Sequence, residues 1–404
     1  MKLPYRLLLL VFALSVLPLQ AQTAFKARRV YTMAGEPLVD GVVLVRDGKI
    51  EAVGSGLAVP PGYTVHEAEV ITPGLVDAHT VVGLTGYLNQ SHDQEQTENS
   101  SPIQPQLRAV DAYNPEDRLV GWVRSFGTTT MHTGHGPGKL ISGQTMIVKT
   151  AGRTVEEALV RPWAAVACTL GVGARESEGS PGTRAKAAAM LRTRLLDAQA
   201  YMRRQENPGK GDPPARDLEK EALAAVLRGE VPLLVTAHRA ADLLTALRIA
   251  EEFKIRLWLD GAAEVGLVMD QVRKSGFPVI VHPPMQRAFG ETENLSMETP
   301  AKLADAGIPF ALQTGFEGYV PKTRVLLFEA AAAARYGLAP EATLRAATLG
   351  AAEILGIADR VGSLEPGKDA DLVLFDGDPL EYTSHVVGVF IDGRKVSEGD
   401  AEWR

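Results

Sequence analysis

Short apolar runs alternate with longer stretches of helical period between about residues 70 and 355. Runs of this length bounded by turn residues are typical of buried strands, and the stretches between them place apolar residues on one helix face. The pattern predicts strands at residues 70–79, 127–132, 145–150, 164–170, 232–237, 256–259, 278–282 and 309–313. It predicts helices at 185–204, 240–253, 262–274, 321–336 and 340–355. This alternation favours parallel strands joined by crossover helices, and a closed barrel needs about eight such strands.

A polar motif follows the first of these apolar runs. Residues 73–81 are Pro-Gly-Leu-Val-Asp-Ala-His-Thr-Val. They resemble the first barrel strand of the amidohydrolase superfamily, whose pattern is Pro-Gly, two hydrophobic residues and Asp-x-His-x-His. Residues 47–54, 361–373 and 390–396 are similar to that family's terminal β-strands. The resemblance, to the imidazolonepropionase-like branch, covers nearly the whole chain after residue 22.

The resemblance implies an α/β fold, a (β/α)₈ TIM barrel with a small composite β-sandwich domain. Residues 70–359 would form the barrel. Residues 23–69 and 360–404 would form the β-domain together, because neither segment alone has enough strands to be stable.

The resemblance also implies a metal site, in which histidines, a carboxylated lysine and an aspartate end successive strands. His79 and His238 match two of these positions. The other positions hold residues without a metal-binding side chain: Val81, Ala167, Gly261 and Gly315. We therefore expect His79 and His238 to bind at most one divalent metal, zinc being the candidate, and we expect no binuclear centre.

Other polar residues fall near the predicted strand ends. His132, His135 and Lys149 are candidates for substrate binding, with Lys149 suited to a substrate carboxylate. Either of these histidines could instead complete a mononuclear metal site, or both could bond to loop backbone, and Lys149 could form an ordinary salt bridge. The remaining candidates are Asp260 and Glu317 at strand ends, His92 and Asp93 on a loop, Asp77 as a hydrogen-bond partner within the barrel, and His282 as a packed strand-end residue.

Two long connections interrupt the pattern. Residues 85–118 are polar and aperiodic and follow the first strand, where barrel active sites lie, so we expect them to cover the site or grip the substrate. Residues 171–217 contain Gly- and Pro-rich pieces around a basic helix, and we expect a solvated excursion without chemistry.

Composition narrows the classes of function. The 404 residues are 45% hydrophobic and 23% charged, as in a soluble globular protein, and the net charge of −7 disfavours a nucleic-acid or anionic-membrane surface. Cys168 is the one cysteine, so no internal disulfide can form, and its apolar surroundings favour a core position.

Two functions remain open from the sequence. The first is an exported hydrolase of C–N bonds in a small amide, cyclic amide or dipeptide-like substrate, with an atypical or mononuclear metal site. The second is a catalytically degenerate, metal-free homologue that binds a ligand or acts as a partner subunit. In both cases the expected partner is a small molecule, and a homo- or hetero-oligomer is compatible with the sequence.

The N-terminus predicts export. Residues 1–22 combine the basic Lys2 and Arg6, an apolar run of about 11 residues and a small residue at Ala21, which is the pattern of a signal peptide. The run is too short to span a bilayer, which needs about 20 residues, so no stable span is expected after cleavage. We expect a secreted or periplasmic chain that begins near Gln22 or Thr23. N-terminal sequencing of protein from its native host tests this, and recovery of Met1 from a soluble cytosolic fraction would contradict it.

Overall fold

The computed structural model describes residues 22–88, 90–175, 179–208, 212–316 and 324–403. The predicted signal peptide up to Ala21 lies outside these ranges, as do Glu317 and the predicted start of the helix at residue 321. No helix in the described ranges is long and apolar enough to cross a membrane.

Strands from both ends of the chain form one seven-stranded sheet. Its N-terminal strands are β1 (Gln22–Val30), β2 (Leu38–Arg46), β3 (Lys49–Ser55) and β4 (Thr64–Pro73). The other three are β14 (Leu372–Phe375), β15 (Val386–Ile391) and β16 (Arg394–Ser397). Strand β14 pairs antiparallel with β4, Leu372 lying opposite Pro73, and this pairing confirms that the two ends share a sheet.

The central part of the chain forms the barrel. Its strands are β5 (Leu75–Thr80), β6 (Thr128–Gly134), β7 (Ile141–Lys149), β9 (Val166–Thr169), β10 (Leu233–Ala237), β11 (Leu257–Gly261), β12 (Val279–Val281) and β13 (Phe310–Ala311), with the short β8 (Leu159–Arg161) paired to β7. Backbone bonds from Ala78 N to Leu312 O (3.2 Å) and from Gly315 N to His79 O (3.0 Å) join the first and last strands. The predicted TIM barrel with a composite β-domain is confirmed.

The first predicted strand is divided between the two sheets. Residues up to Pro73 belong to the β-domain, and the barrel strand begins at Leu75. Gly74 lies between them, where a Cβ atom would come within 2.0 Å of Thr129 Oγ1. The chain can pass this closely against β6 because glycine has no side chain.

Strand β7 differs from the prediction of an all-parallel barrel. It runs antiparallel to both neighbours, with Thr130 of β6 opposite Lys149 and Cys168 of β9 opposite Ile141. It is joined to β6 by the six residues 135–140, too few for the crossover that a parallel strand needs. The start of β7 therefore lies at the barrel mouth, where the parallel strands end, and Lys149 lies at the opposite end.

Helices cover the barrel between its strands: α1 (Arg118–Ser125), α2 (Val155–Ala158), α3 (Arg184–Glu206), α4 (Leu218–Leu227), α5 (Ala240–Phe253), α6 (Met269–Ser275), α7 (Thr299–Asp305), α8 (Leu326–Arg335), α9 (Pro340–Ala346) and α10 (Leu349–Leu355). Two predicted helices are shorter than expected. The helix predicted at 262–274 begins at Met269, and the one at 340–355 is interrupted at Thr348, whose backbone is not helical.

The barrel interior is filled with apolar side chains. Val76, Ala78, Ala167 and Trp258 belong to one buried cluster inside the ring of strands. Cys168 is also buried, in a second apolar cluster, as its sequence context predicts. The foot of the barrel is thus closed, and any accessible polar site must lie at the mouth.

The barrel and the β-domain are joined by a buried charge cluster around Lys149. Its Nζ lies 2.8 Å from Asp369 Oδ2, 3.1 Å from Asp371 Oδ1 and 2.5 Å from Asp392 Oδ1, and all three aspartates belong to the β-domain segment. Burial lowers the pKa of Lys149, but the three carboxylates outweigh it and raise the pKa above its usual value. The predicted place of Lys149 at the pocket rim is therefore wrong, because its strand runs in the reverse direction.

We expect Lys149→Met to destabilise the protein by about 3–5 kcal/mol, because it leaves the buried carboxylate of Asp371 without its positive partner. Lys49 is the matched control, since it contacts Asp369 at 2.5 Å but its side chain is 54% exposed. Lys49→Met should change stability by less than about 1 kcal/mol. Urea unfolding of the three proteins measures this, and equal effects of the two substitutions would show that the cluster does not hold the two parts together.

Candidate active site

His79 and Asp260 form the centre of the polar mouth. His79 near the end of β5 donates from Nδ1 to Asp260 Oδ1 at 3.1 Å. Asp260 also accepts from Thr236 Oγ1 at 2.5 Å and from Gln313 Nε2 at 2.8 Å. Because the carboxylate can only accept, the neutral imidazole carries its proton on Nδ1. Its Nε2 is buried and has no hydrogen-bond partner among the described residues.

The charge and the hydrogen bond of Asp260 make His79 a stronger base than an isolated imidazole. Burial would lower the pKa of His79, but the charge of Asp260 and the hydrogen bond to it raise the pKa above its usual value. Burial would raise the pKa of Asp260, but the charge of His79 and the hydrogen bonds hold it below its usual range. A histidine oriented by a buried carboxylate, with its other nitrogen free, is an arrangement that can accept and return a proton.

Asp77 closes the barrel beside this pair. Its Oδ1 accepts from Thr314 N at 3.0 Å, and its Oδ2 accepts from Thr314 Oγ1 at 2.5 Å. Burial raises the pKa of Asp77 to about 7. These bonds tie β5 to the segment after β13, so the structure agrees with a hydrogen-bonding role.

His132 is part of the core. Its Nδ1 donates to Ala78 O at 2.7 Å, so its Nε2 accepts the Thr145 hydroxyl, also at 2.7 Å. The ring packs edge to face against Trp258, and burial lowers its pKa to about 3. Contrary to the expected substrate-binding role, both nitrogens are engaged within the fold. His282 is likewise bonded at both nitrogens, to Pro283 O and Thr299 Oγ1, as packing predicted.

His135 and His238 keep nitrogens available for a ligand. His135 lies just after β6, and neither of its ring nitrogens has a partner in the described ranges. Burial lowers its pKa to about 4, so it is neutral near pH 7. His238 follows β10, and its Nδ1 also has no hydrogen-bond partner among the described residues. Burial lowers the pKa of His238.

The remaining family ligand positions hold valine, alanine or glycine, none of which can bind a metal through a side chain. At position 261 the neighbouring residue occupies the space that a side chain would need. A Cβ on Gly261 would lie 2.6 Å from His238 Cε1, so the imidazole occupies the space that a side chain at 261 needs. Gly315 has a φ of +64°, and Val81 and Ala167 are buried. A side chain at position 261 would therefore require His238 to move.

The described residues do not fit a zinc site. A zinc ion in a protein is held by three or more protein ligands. In residues 22–316 and 324–403, less the short gaps, no three His, Cys, Asp or Glu side chains gather closely enough to hold a metal. The single metal predicted for His79 and His238 stays a prediction, and the mechanism below uses none.

Sequence reasoning placed Asp260 at a strand end but missed Thr236 and Gln313, which fix its carboxylate. Alternation along a strand was the available signal, because Thr236 lies two positions before His238 and therefore on the same side of β10. The hydrogen bond from Gln313 to Asp260 forms only when the strands close into a barrel, so no local sequence pattern could predict it.

The long connection after β5 covers the start of β7. Gln96 O accepts from Gly136 N at 2.7 Å, Pro102 O from Ile141 N at 3.0 Å and Leu107 O from Gln144 N at 2.7 Å. Its central part thus lies along the β6–β7 hairpin at the mouth, as the expected covering role requires. Its contact with a substrate stays a prediction.

Comparison with known proteins agrees with this architecture. The model of the amidohydrolase family matches residues 298–396. An amidohydrolase structure from Thermotoga maritima is 32% identical, with a TM-score of 0.88, over 93% of this chain and all of that one. The chain belongs to the amidohydrolase superfamily. Members of this superfamily are hydrolases that typically use metal ions, and the imidazolonepropionase-like branch is the part of it that this chain resembles.

Two curated proteins are similar in sequence to most of this chain. Imidazolonepropionase of Rhizobium rhizogenes is 26% identical over 376 residues, 86% of this chain and 90% of that protein. Amidohydrolase tasK of Hapsidospora irregularis is 28% identical over 388 residues, 87% of this chain. The chain spans 39% of the length of tasK.

We expect Gly261→His, which restores a family ligand position, to destabilise the protein by about 2 kcal/mol or more without creating a metal site. The new side chain meets His238, and the φ of +81° at Gly261 disfavours any Cβ. Gly266 is the control, because it has no atom within 4 Å of its Cβ position. Thermal unfolding of Gly261→His and Gly266→Ala, with elemental analysis, measures this. A stable Gly261→His protein that binds zinc stoichiometrically would contradict it.

Proposed function

We propose that the mouth of the barrel binds a small amide, cyclic amide or dipeptide-like molecule and hydrolyses one of its C–N bonds, with His79 as the base. The observation that supports this most directly is the bond from Nδ1 of His79 to the buried Asp260, which leaves Nε2 free at the mouth. Membership of a superfamily of hydrolases, and the similarity to imidazolonepropionases, support the class of bond.

In the proposed reaction, water attacks the carbonyl carbon and His79 Nε2 takes its proton. Asp260 stabilises the imidazolium that forms, since its carboxylate already faces Nδ1. The C–N bond then breaks, and the proton on Nε2 passes to the departing nitrogen. The products are a carboxylic acid and an amine, with one water consumed and His79 returned to its initial state. The neutral His135 can donate one N–H to the carbonyl oxygen.

A second candidate is ligand binding without hydrolysis, as a receptor or a partner subunit. It is favoured by the family positions held by Val81, Ala167, Gly261 and Gly315, and by His132, whose nitrogens are both engaged. Under this proposal the mouth holds the same class of small molecule, and His79 serves as a hydrogen-bond acceptor for it.

We further propose that the chain is exported and is secreted or periplasmic. The basic start, the apolar run and Ala21 support it. A homo- or hetero-oligomer is compatible with it.

Asp260→Asn separates the two functions. The amide is nearly the same size, but it cannot stabilise an imidazolium, so we expect the rate of hydrolysis to fall on the order of 10²–10⁴-fold with little change in substrate binding. The assay follows amine release from a panel of N-acyl amino acid amides, hydantoins and dipeptides, with elemental analysis of each preparation. The control is His385→Gln, since His385 is a partly exposed residue that contacts Asp376 in the β-domain.

Equal hydrolysis by the wild type and Asp260→Asn would exclude His79 as the base. Binding of panel members without hydrolysis by the wild type would exclude the first candidate and leave the second.

A further inference from the structure

The side chain of Arg118 contacts two aromatic rings from distant parts of the chain. Its guanidinium carbon lies 4.4 Å from the ring centre of Tyr87, which follows β5. It lies 5.5 Å from the ring centre of Trp403, in the C-terminal 3₁₀ turn Asp400–Trp403. A cation within about 6 Å of a ring centre is attracted by the ring electrons. Arg118 therefore joins the start of the covering connection, residues 85–118, to the last segment of the β-domain.

The helix that Arg118 begins does not explain its position. Arg118 is the first residue of α1, and a cation at a helix N-terminus is disfavoured by the helix dipole. The neighbouring Asp117 carboxylate is engaged by other groups, since its Oδ1 accepts from Leu119 N at 2.8 Å and its Oδ2 accepts from Tyr87 N at 3.2 Å. The contacts with Tyr87 and Trp403 are therefore what the position of Arg118 provides.

The start of the covering connection is bonded mainly to itself. Gly86 N donates to Asp93 O at 2.7 Å, and Glu95 N donates to Leu84 O at 2.8 Å. The side chain of Tyr87 is 39% exposed, so burial alone does not fix it. The position of this part against α1 depends on the hydrogen bond and the ring contact that Tyr87 makes there.

The middle of the covering connection is fixed in a different way. Gln104 N donates to Ile141 O at 2.9 Å, and Gln144 N donates to Leu107 O at 2.7 Å. Backbone bonds thus attach the middle to strand β7, without α1 or the C-terminal turn. The two parts should therefore respond differently when the contact at Arg118 is lost.

The C-terminal turn is held closely on the β-domain. Glu402 Oε1 accepts from Ser397 Oγ at 2.9 Å and from Glu398 N at 2.6 Å. Gly399 has a φ of +90°, and a Cβ there would lie 1.8 Å from Val386 O of β15. A side chain at position 399 would therefore displace the turn, which glycine allows to pass this closely.

Trp403 contacts α1 at a second point. Its ring lies edge to face against Trp122, with ring centres 5.4 Å apart, a favourable geometry for two aromatic rings. The contacts with Trp122 and Arg118 are four residues apart, about one helical turn. The Trp403 ring therefore lies along the N-terminal half of α1, between the β-domain and the residues that contact Tyr87.

We propose that the C-terminal turn is a strap that holds the start of the covering connection against α1. Trp403 is its positioning residue, and Arg118 links it to Tyr87. The strap limits how often this part of the connection moves away from the barrel mouth. The inference does not rest on the proposed function, because hydrolysis and ligand binding both need access to the mouth.

Hydrogen–deuterium exchange of single amides, read by mass spectrometry, tests the strap at Gly86, Tyr87 and Glu95. The exchange rate of a bonded amide reports how often its part of the structure opens. In Trp403→Ala we expect these three amides to exchange about three- to tenfold faster, because one cation–ring contact and one ring–ring contact are lost.

Three further variants separate the strap from a general loss of stability. Gly399→Ala keeps the ring and the arginine but displaces the turn, so it should accelerate the same amides. Trp403→Phe keeps a ring beside Arg118 and should stay within about twofold of the wild type. Tyr63→Ala is the matched control, because the Tyr63 ring lies 5.9 Å from Arg46 within the β-domain. It should leave the three amides unchanged.

The amides of Gln104 and Gln144 provide an internal control and should keep their wild-type rates in every variant. The strap is overturned if Gly86, Tyr87 and Glu95 keep their wild-type rates in Trp403→Ala or in Gly399→Ala. It is also overturned if Tyr63→Ala accelerates them equally, or if the amides of the middle accelerate as much as those of the start.

Discussion

The reversed strand β7 is the constraint on which the arrangement of this protein depends. In a parallel barrel, every strand brings its C-terminal residues to the mouth. Strand β7 instead pairs antiparallel with both neighbours, which sends Lys149 to the foot and the connection 135–140 to the mouth. One inversion thus decides that Lys149 joins the β-domain and does not reach the mouth.

At the foot, the inversion creates a charge cluster that links two parts of the chain distant in sequence. Lys149 of the barrel meets Asp369 and Asp371, which precede β14, and Asp392 between β15 and β16. Breaking such a buried cluster leaves uncompensated charge, so it fixes the position of the β-domain against the barrel. This cluster explains why a lysine at the end of an apolar strand need not belong to the site.

At the mouth, the loss of family ligand positions coincides with a new set of contacts. His238 fills the space beside Gly261, and His79 is held by Asp260 rather than left free at both nitrogens. Thr236 donates to the other oxygen of that carboxylate, and Gln313 donates to the oxygen that faces His79. The polar mouth is therefore organised around one carboxylate and one imidazole, and its chemistry must be derived from that pair.

From the sequence by itself, periodicity predicted the alternation of strands and helices. The resemblance of residues 73–81 and of the terminal segments to the family implied the barrel, the composite sheet and the strand-end positions of His79, His238 and Asp260. Only the tertiary structure decided the direction of β7, the engagement of both nitrogens of His132, and the three carboxylates around Lys149. The physical reason is that these depend on pairing between distant strands and on which charges burial brings together. Apolar periodicity is the same for a strand running in either direction, so it carries no information on which end reaches the mouth.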